Sequence, residues 1–340
     1  MQNEIKQKQP LLNEFGQIIN PGFAKSMLYQ YNRKYIKASK WRIKEWDYYL
    51  VSNDKYGFAF TIADNGYLGF ISVSFLDFVD KTYDTFSDMV FFPLGKFKMP
   101  SSSTEGNVNY KGKKIELSFK HELGNRVIKC RIPNFKNKLF EAELILSNEP
   151  KESMVIATPF KKNKKAFYFN QKINYMEANG KVSFGDKLFK VENYYAILDW
   201  GRGVWTYDNT WYWGSASGKV NGKPFGFNIG YGFGDTTAAS ENMIFYDGLA
   251  HKFDQLVFVI PKDGKHHQFL KEWKIISNDK RMNLVFKPYL DRFDKISLLV
   301  LVSDQHQVFG TFSGSVILDD GSKLDLNDIH GFAEMVHNRW

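Results

Sequence analysis

The stretch YGFAFTIADNGYLGFISVSFL, residues 56–76, places two runs rich in aromatic and β-branched residues on either side of Asp-Asn-Gly. Such runs suit a pleated surface, and an Asn-Gly between them is a strong signal for a tight hairpin. The same grammar continues in NVNYKGKKIELSF (107–119), RVIKCRI (126–132) and LFEAELILS (139–147). It returns in GSASGKVNGKPFGFNIG (214–230), with a second tight turn at VNGK, and in QLVFVIP (255–261). Residues 295–318 read as two long strands and the turn between them. Helical periodicity is confined to a turn or two within 21–36 and one short helix at 266–276. No strand alternates with a long helix, and no repeat of 20–50 residues is visible, which argues against parallel α/β sheets, solenoids and propellers. Evenly spaced short strands with tight turns predict an all-β chain of antiparallel barrels or sandwiches.

Length and composition agree. A chain of 340 residues suits two domains, and 17% aromatic residues, with 31 Phe and 18 Tyr, favour β structure. The polar stretch 161–180 reads as the join, giving an N-terminal barrel or sandwich over 1–175 and a C-terminal barrel over 176–340. The net charge of +9 is mostly dispersed lysine, densest in KKNKK (161–165), and no nucleic-acid-binding motif accompanies it. Nucleic acid is therefore not an expected partner; weak association with an anionic membrane surface is a secondary expectation. The single cysteine, Cys130, excludes an internal disulfide. The N-terminus lacks the apolar core of a signal peptide, and the longest apolar run, ISLLVLV (296–302), is far below the roughly 20 residues that span a bilayer. A soluble cytoplasmic protein is expected, and nothing in the sequence specifies an oligomeric state.

The richest chemistry lies in DWGRGVWTYDNTWYW, Asp199–Trp213, which holds four of the eight tryptophans. Gly201 and Gly203 suggest a bulge or bend after Trp200, flanked by Trp205, Trp211 and Trp213. Asp199 and Arg202 form a natural buried pair. Two readings stand: an Arg–Asp buttress that plugs a barrel, or an aromatic-walled pocket with an acid tuned by its surroundings. In YGFGDTTAASENMIFYDGLAHKFD (231–254), the glycines are not followed by a helix, so dinucleotide binding is rejected; Glu241, Asn242 and His251 are polar candidates. The terminal HGFAEMVHNRW (330–340) brings Glu334, His337, Arg339 and Trp340 together, with Glu334 or His337 able to serve as acid or base. KWRIKEWDYY (40–49) adds Trp46 beside Asp47 at a barrel mouth. No metal-ligand spacing, nucleophile elbow or phosphate-binding loop occurs, so neither metal nor cofactor is expected.

Together, KEWDYY, DWGRGVWTYDNTWYWGSASG, GFGDTTAASEN and HGFAEMVHNRW resemble the bacterial domain of unknown function 2804 family over nearly the whole chain. More distantly, Asp-x-x-x-Gly followed by W-x-W is similar to the AttH and CrtC-like proteins, among them carotenoid 1,2-hydratases, with tocopherol cyclases as looser relatives. That resemblance implies two packed lipocalin-like barrels and an apolar cavity for a polyene or isoprenoid. Carried over, Asp199 matches the motif acid and Gly203 its glycine. Trp200 stands where the family has histidine, so chemistry that needs the histidine does not carry over. Two functions follow: acid–base hydration, cyclisation or isomerisation of an apolar small molecule by Asp199, Glu241, Glu334 or His337, or a non-catalytic lipid or pigment carrier. In both, Trp46, Arg202, Trp205, Trp211, Trp213, Asn242, Arg339 and Trp340 contact the ligand.

Overall fold

The computed structural model describes residues 2–298 and 301–339. The first sheet comprises, in chain order, β1 (Gly22–Ala24), β2 (Ile43–Ser52), β3 (Tyr56–Asp64), β4 (Leu68–Asp77), β5 (Thr82–Phe91), β6 (Val108–Lys111), β7 (Glu116–Glu122), β8 (Asn125–Phe135), β9 (Lys138–Ser147), β10 (Met154–Phe160), β11 (Asn163–Phe184) and β12 (Lys187–Val204). The second comprises β13 (Asp208–Val220), β14 (Lys223–Tyr231), β15 (Met243–Tyr246), β16 (Leu249–Lys252), β17 (Leu256–Val259), β18 (Trp273–Ser277), β19 (Met282–Leu298), β20 (Leu301–Ile317) and β21 (Lys323–Arg339). The first runs in the order β5-β4-β3-β2-β12-β11-β9-β8-β7-β6, with β10 also pairing with β11 and β1 pairing with β10; the second runs β16-β15-β14-β13-β21-β20-β19-β18-β17. These are the two curled antiparallel sheets of an all-β, double-barrel architecture. No helix among the described residues is long and apolar enough to cross a membrane.

Period-two alternation sorts the side chains. Along β3, Phe58, Phe60 and Ile62 enter the first core, while Ala59 turns to the opposite face. Phe225, Phe227, Trp273, Phe286 and Phe312 fill the second core. A third cluster, including Tyr48, Leu50, Ile197, Leu290, Phe309 and Phe332, joins the outer face of one sheet to the other. The aromatic excess therefore has two uses: it plugs both barrels and mortars them together.

Several expectations are corrected. Residues 161–180 are no linker: β11 is the spine of the first sheet, paired with β12 on one edge and with β10 and then β9 on the other. It bends where it changes neighbours, at Tyr175, whose φ is 45°. The first sheet ends at Val204 and the second begins at Asp208, so a division at 175/176 falls inside β11. Residues 266–276 contain β18 instead of a helix, because Trp273, Ile275 and Ser277 are buried in alternation with exposed Lys274 and Ile276. The two strands expected in 295–318 are the end of β19 and the whole of β20. The first helical expectation reduces to a three-residue 3-10 turn, Arg33–Tyr35.

The GRG segment does not break β12 either. Gly201 lies opposite Trp46 in the ladder, and a Cβ there would overlap the indole; one on Gly203 would strike the carbonyl of Phe167. The glycines admit close neighbours instead of a bend. Gly201→Ala should therefore destabilise the fold by roughly 1–3 kcal/mol through overpacking. Gly218→Ala, whose added carbon meets nothing nearer than 3.5 Å, should not. Urea unfolding of the two variants checks this; equal stabilities would refute the close-approach reading.

Candidate functional site

Between the two sheets, outside both barrel cores, lies a cleft of about 510 Å³. Pockets at domain interfaces are a common place for ligands. Trp46 and Tyr48 of β2, Lys172 of β11 and Asp199 of β12 line it from the first sheet. Trp211 and Trp213 of β13 and Glu334 of β21 face them from the second, and Trp205, Phe233 and Glu241 close it from the connecting segments. Trp205 packs edge-on against Trp46, Trp211 and Phe233, with centroids 5.3, 5.8 and 4.8 Å away. The rings make one continuous aromatic wall.

Lys172 sits directly opposite Asp199 in the β11–β12 ladder, so both side chains leave the same face. Lys172 Nζ is 2.8 Å from Asp199 Oδ1, and Asn170 Nδ2 donates to that same oxygen at 2.6 Å. The ammonium also lies over the Trp213 ring, 3.6 Å from its centroid. Asp199 is thus engaged as an acceptor of two donors.

Glu334 is set differently. It pairs across the ladder with Trp213, and the Trp211 indole N–H donates to its Oε1 at 3.0 Å. Gln307 Nε2 is 3.4 Å from Oε2, and no cation lies within ion-pair distance among the described residues. Burial pushes this carboxyl up to about 7, against the smaller lowering effects of the Trp211 bond and Lys172. Glu241 is also buried, and burial pushes it upward despite Lys172. It connects to the wall through Asn228, whose amide lies 3.4 Å from Glu241 Oε2 while its carbonyl accepts the Trp213 N–H at 2.6 Å.

Arg202 is not the partner of Asp199. Residues three apart on a strand point to opposite faces, and Arg202 enters the first barrel with Trp200. Fully buried, it donates to Asp47 Oδ1 at 2.9 Å and to the carbonyls of Trp46, Gly201 and Pro100. A buttress exists, but its acid is Asp47. His337 and Arg339 leave β21 on the side opposite Glu334, and neither lines the cleft. The His337 ring is half-exposed, with Nε2 3.0 Å from Asp208 Oδ1. Asn242 is structural: it accepts from Gly230 N–H and donates to the Asp254 carbonyl. His251 accepts from the Asp319 N–H, away from the cleft. Trp340 lies outside the described residues.

The family model for a domain of unknown function, DUF2804, matches residues 2–340. The chain belongs to this family. Among solved structures, it is similar to an AttH-type protein of Nitrosomonas europaea, with 12% identity, a TM-score of 0.52 and 90% and 95% of the two chains covered. It is also similar to kievitone hydratase of Nectria haematococca, at 10% identity, a TM-score of 0.48 and coverage of 87% and 88%. The complex of CghA with Sch210972 gives 8% identity, a TM-score of 0.46 and 97% coverage of each chain. At these identities the likeness to the Nitrosomonas protein concerns the fold alone. No curated protein sequence matches the chain.

Sequence reasoning missed Lys172, Tyr168, Gln307 and Phe233. The signal for Lys172 was present in FYFNQKINYM (167–176), where Tyr168, Asn170 and Lys172 alternate with Phe167, Phe169 and Ile173. Lys172→Met or Asp199→Asn alone strands a buried partner and should cost about 3–5 kcal/mol. The double variant should cost clearly less than the sum, as read by a double-mutant cycle in urea. Strict additivity would exclude the pair as a coupled unit.

Proposed function

We propose that this cleft binds an apolar, unsaturated small molecule and catalyses its hydration, cyclisation or isomerisation by acid–base chemistry. The observation that carries this reading is Glu334: a carboxyl held up near 7 by burial, aimed into a tryptophan-walled cleft. Protonating an alkene requires a carboxylic acid that is neutral at working pH and shielded from water. Glu334 would give its proton to one alkene carbon, leaving a cation at the other. The π faces of Trp205 and Trp211 would shelter that cation. Loss of a neighbouring proton to the Glu334 carboxylate gives an isomerised alkene. Attack of a second double bond of the same molecule on the cation, followed by proton loss, gives a ring. Addition of water, whose extra proton returns to Glu334, gives an alcohol. Asp199, held by Lys172 and Asn170, serves as a fixed anion in this scheme, and Glu241 is the second candidate for moving a proton.

The test begins with native mass spectrometry of gently purified protein and organic extraction of bound compounds. The extracted alkene is then incubated with the protein in D2O. Carbon-bound deuterium should appear, and Glu334→Gln should slow its uptake at least 100-fold, the scale of general-acid catalysis, while the compound still binds. Uptake at an unchanged rate would exclude Glu334 as the acid. Binding without any uptake in the unaltered protein would favour a carrier of lipid or pigment.

The raised carboxyl also has a stability signature. The folded protein holds the Glu334 proton more tightly than the unfolded chain does. Its contribution is therefore complete below the ordinary glutamate range and disappears as pH rises through about 7. Glu334→Gln should gain on the unaltered protein by up to about 3 kcal/mol between pH 4 and pH 8. Urea unfolding at both values reads the difference; a pH-independent gap would contradict a raised acid.

A further inference from the structure

The cleft has a second wall unlike the first. Across β2, β3, β4 and β5, Tyr48, Thr61, Ser72 and Ser87 stand directly opposite one another in register and face the cavity. The adjoining row adds Ser74 and Thr85, whose hydroxyls hydrogen-bond at 2.8 Å. Four neighbouring strands make a hydroxyl strip about 14 Å long. The side chains of Thr61, Ser72 and Ser87 have no hydrogen bond to the protein among the described residues, so their bonding capacity faces the cavity.

Arg292 of β19 reaches over from the second sheet to the end of this strip. Its Nη1 donates to Ser74 Oγ at 3.1 Å, and no carboxylate lies within 4.0 Å of its guanidinium among the described residues. Asp294, next on the same face, stands at the mouth without pairing with it. A guanidinium has five N–H donors in a planar fork suited to a carboxylate, and one bond to Ser74 leaves the rest available. A purely hydrocarbon ligand would strip water from these hydroxyls and return no bonds. A multiply charged phosphate would meet one arginine with Asp294 beside it, which suits a monoanion better.

Resting on the cleft reading above, we infer that the ligand is amphipathic, with an apolar unsaturated head among the tryptophans at Glu334 and an oxygen-bearing, carboxylate-ended arm along the hydroxyl strip to Arg292. The structure thus assigns Arg292 as the residue that selects the carboxylate and fixes which end of the molecule meets the acid. Its neighbours set the geometry: Ser74 orients the guanidinium, and Thr85 orients Ser74.

Retinoate and retinol make a matched pair of probes, sharing one polyene and differing in the terminal oxygen group. Both quench tryptophan emission when bound beside indoles, so titration of the intact protein measures each affinity. The unaltered protein should bind retinoate at least tenfold more tightly than retinol. Arg292→Gln should bring the ratio close to one by weakening retinoate alone, and Arg292→Lys should restore part of it. Equal affinities, or an equal loss of both ligands in Arg292→Gln, would overturn the assignment and leave the apolar cleft standing. Failure of both probes to quench the unaltered protein would overturn the cleft reading and this inference together. Melting curves of the variants separate lost binding from lost folding.

Discussion

The pleat of β12 decides where every charged group near the centre of the molecule goes. Odd-numbered Asp199, Gly201 and Gly203 turn toward the cleft between the sheets, and even-numbered Trp200 and Arg202 turn into the first barrel. From this one constraint follow two separate buried ion pairs. Arg202 with Asp47 braces the barrel, and Asp199 with Lys172 stands in the cleft. Had the two charges shared a face, they would have neutralised one another and left Lys172 buried without a carboxylate. The glycines complete the arrangement, Gly201 by admitting the Trp46 indole close to the strand and Gly203 by admitting the Phe167 carbonyl.

The electrostatics of the cleft then sort the three carboxyls at its tryptophan-lined end. Asp199 is engaged by two donors, whereas Glu241 and Glu334 are buried with no cation at ion-pair distance among the described residues, and burial pushes both upward. Asp199 reinforces that direction in each, because a fixed negative charge nearby makes a second one costlier. A cation and an anion locked together beside protonatable acids, within aromatic walls, form a site that exchanges protons and tolerates developing positive charge. Opposite them, the hydroxyl strip and Arg292 give the cleft a polar end. Both sheets contribute to both ends of this space, Lys172, Asp199 and the hydroxyl strip coming from the first and Glu334 and Arg292 from the second. Neither barrel interior, packed with phenylalanine, takes part.

Much of this was legible in the sequence because its signals are dense and local. Alternating aromatic runs around Asn-Gly turns specify antiparallel sheets, and Val220–Lys223 folds as the tight hairpin that Asn221-Gly222 requires, with φ of 51° and 76°. Trp46, Trp205, Trp211, Trp213, Asp199, Glu241 and Glu334, all singled out by composition, line one cleft. What was misread depends on strand parity and on distant pairing. Arg202 is close to Asp199 in the chain but faces away from it, and His337 is close to Glu334 but faces away from the cleft. Lys172 was lost because a strand buried on both faces, one of them polar, looks like a linker when its neighbours are unknown. Arg292 meets Ser74 across 218 residues, a pairing with no local signature.

The central claim is that Glu334 carries a proton near neutral pH, and carboxyl carbon-13 NMR of protein labelled at glutamate tests it most directly. The spectrum of Glu334→Gln assigns the resonance by its disappearance. The account predicts a titration midpoint near 7 for that signal in the intact protein, well above the exposed glutamates. A midpoint in the ordinary range, about 4 to 5, would mean that the cleft holds an ordinary carboxylate, and the acid chemistry proposed for it would have no source.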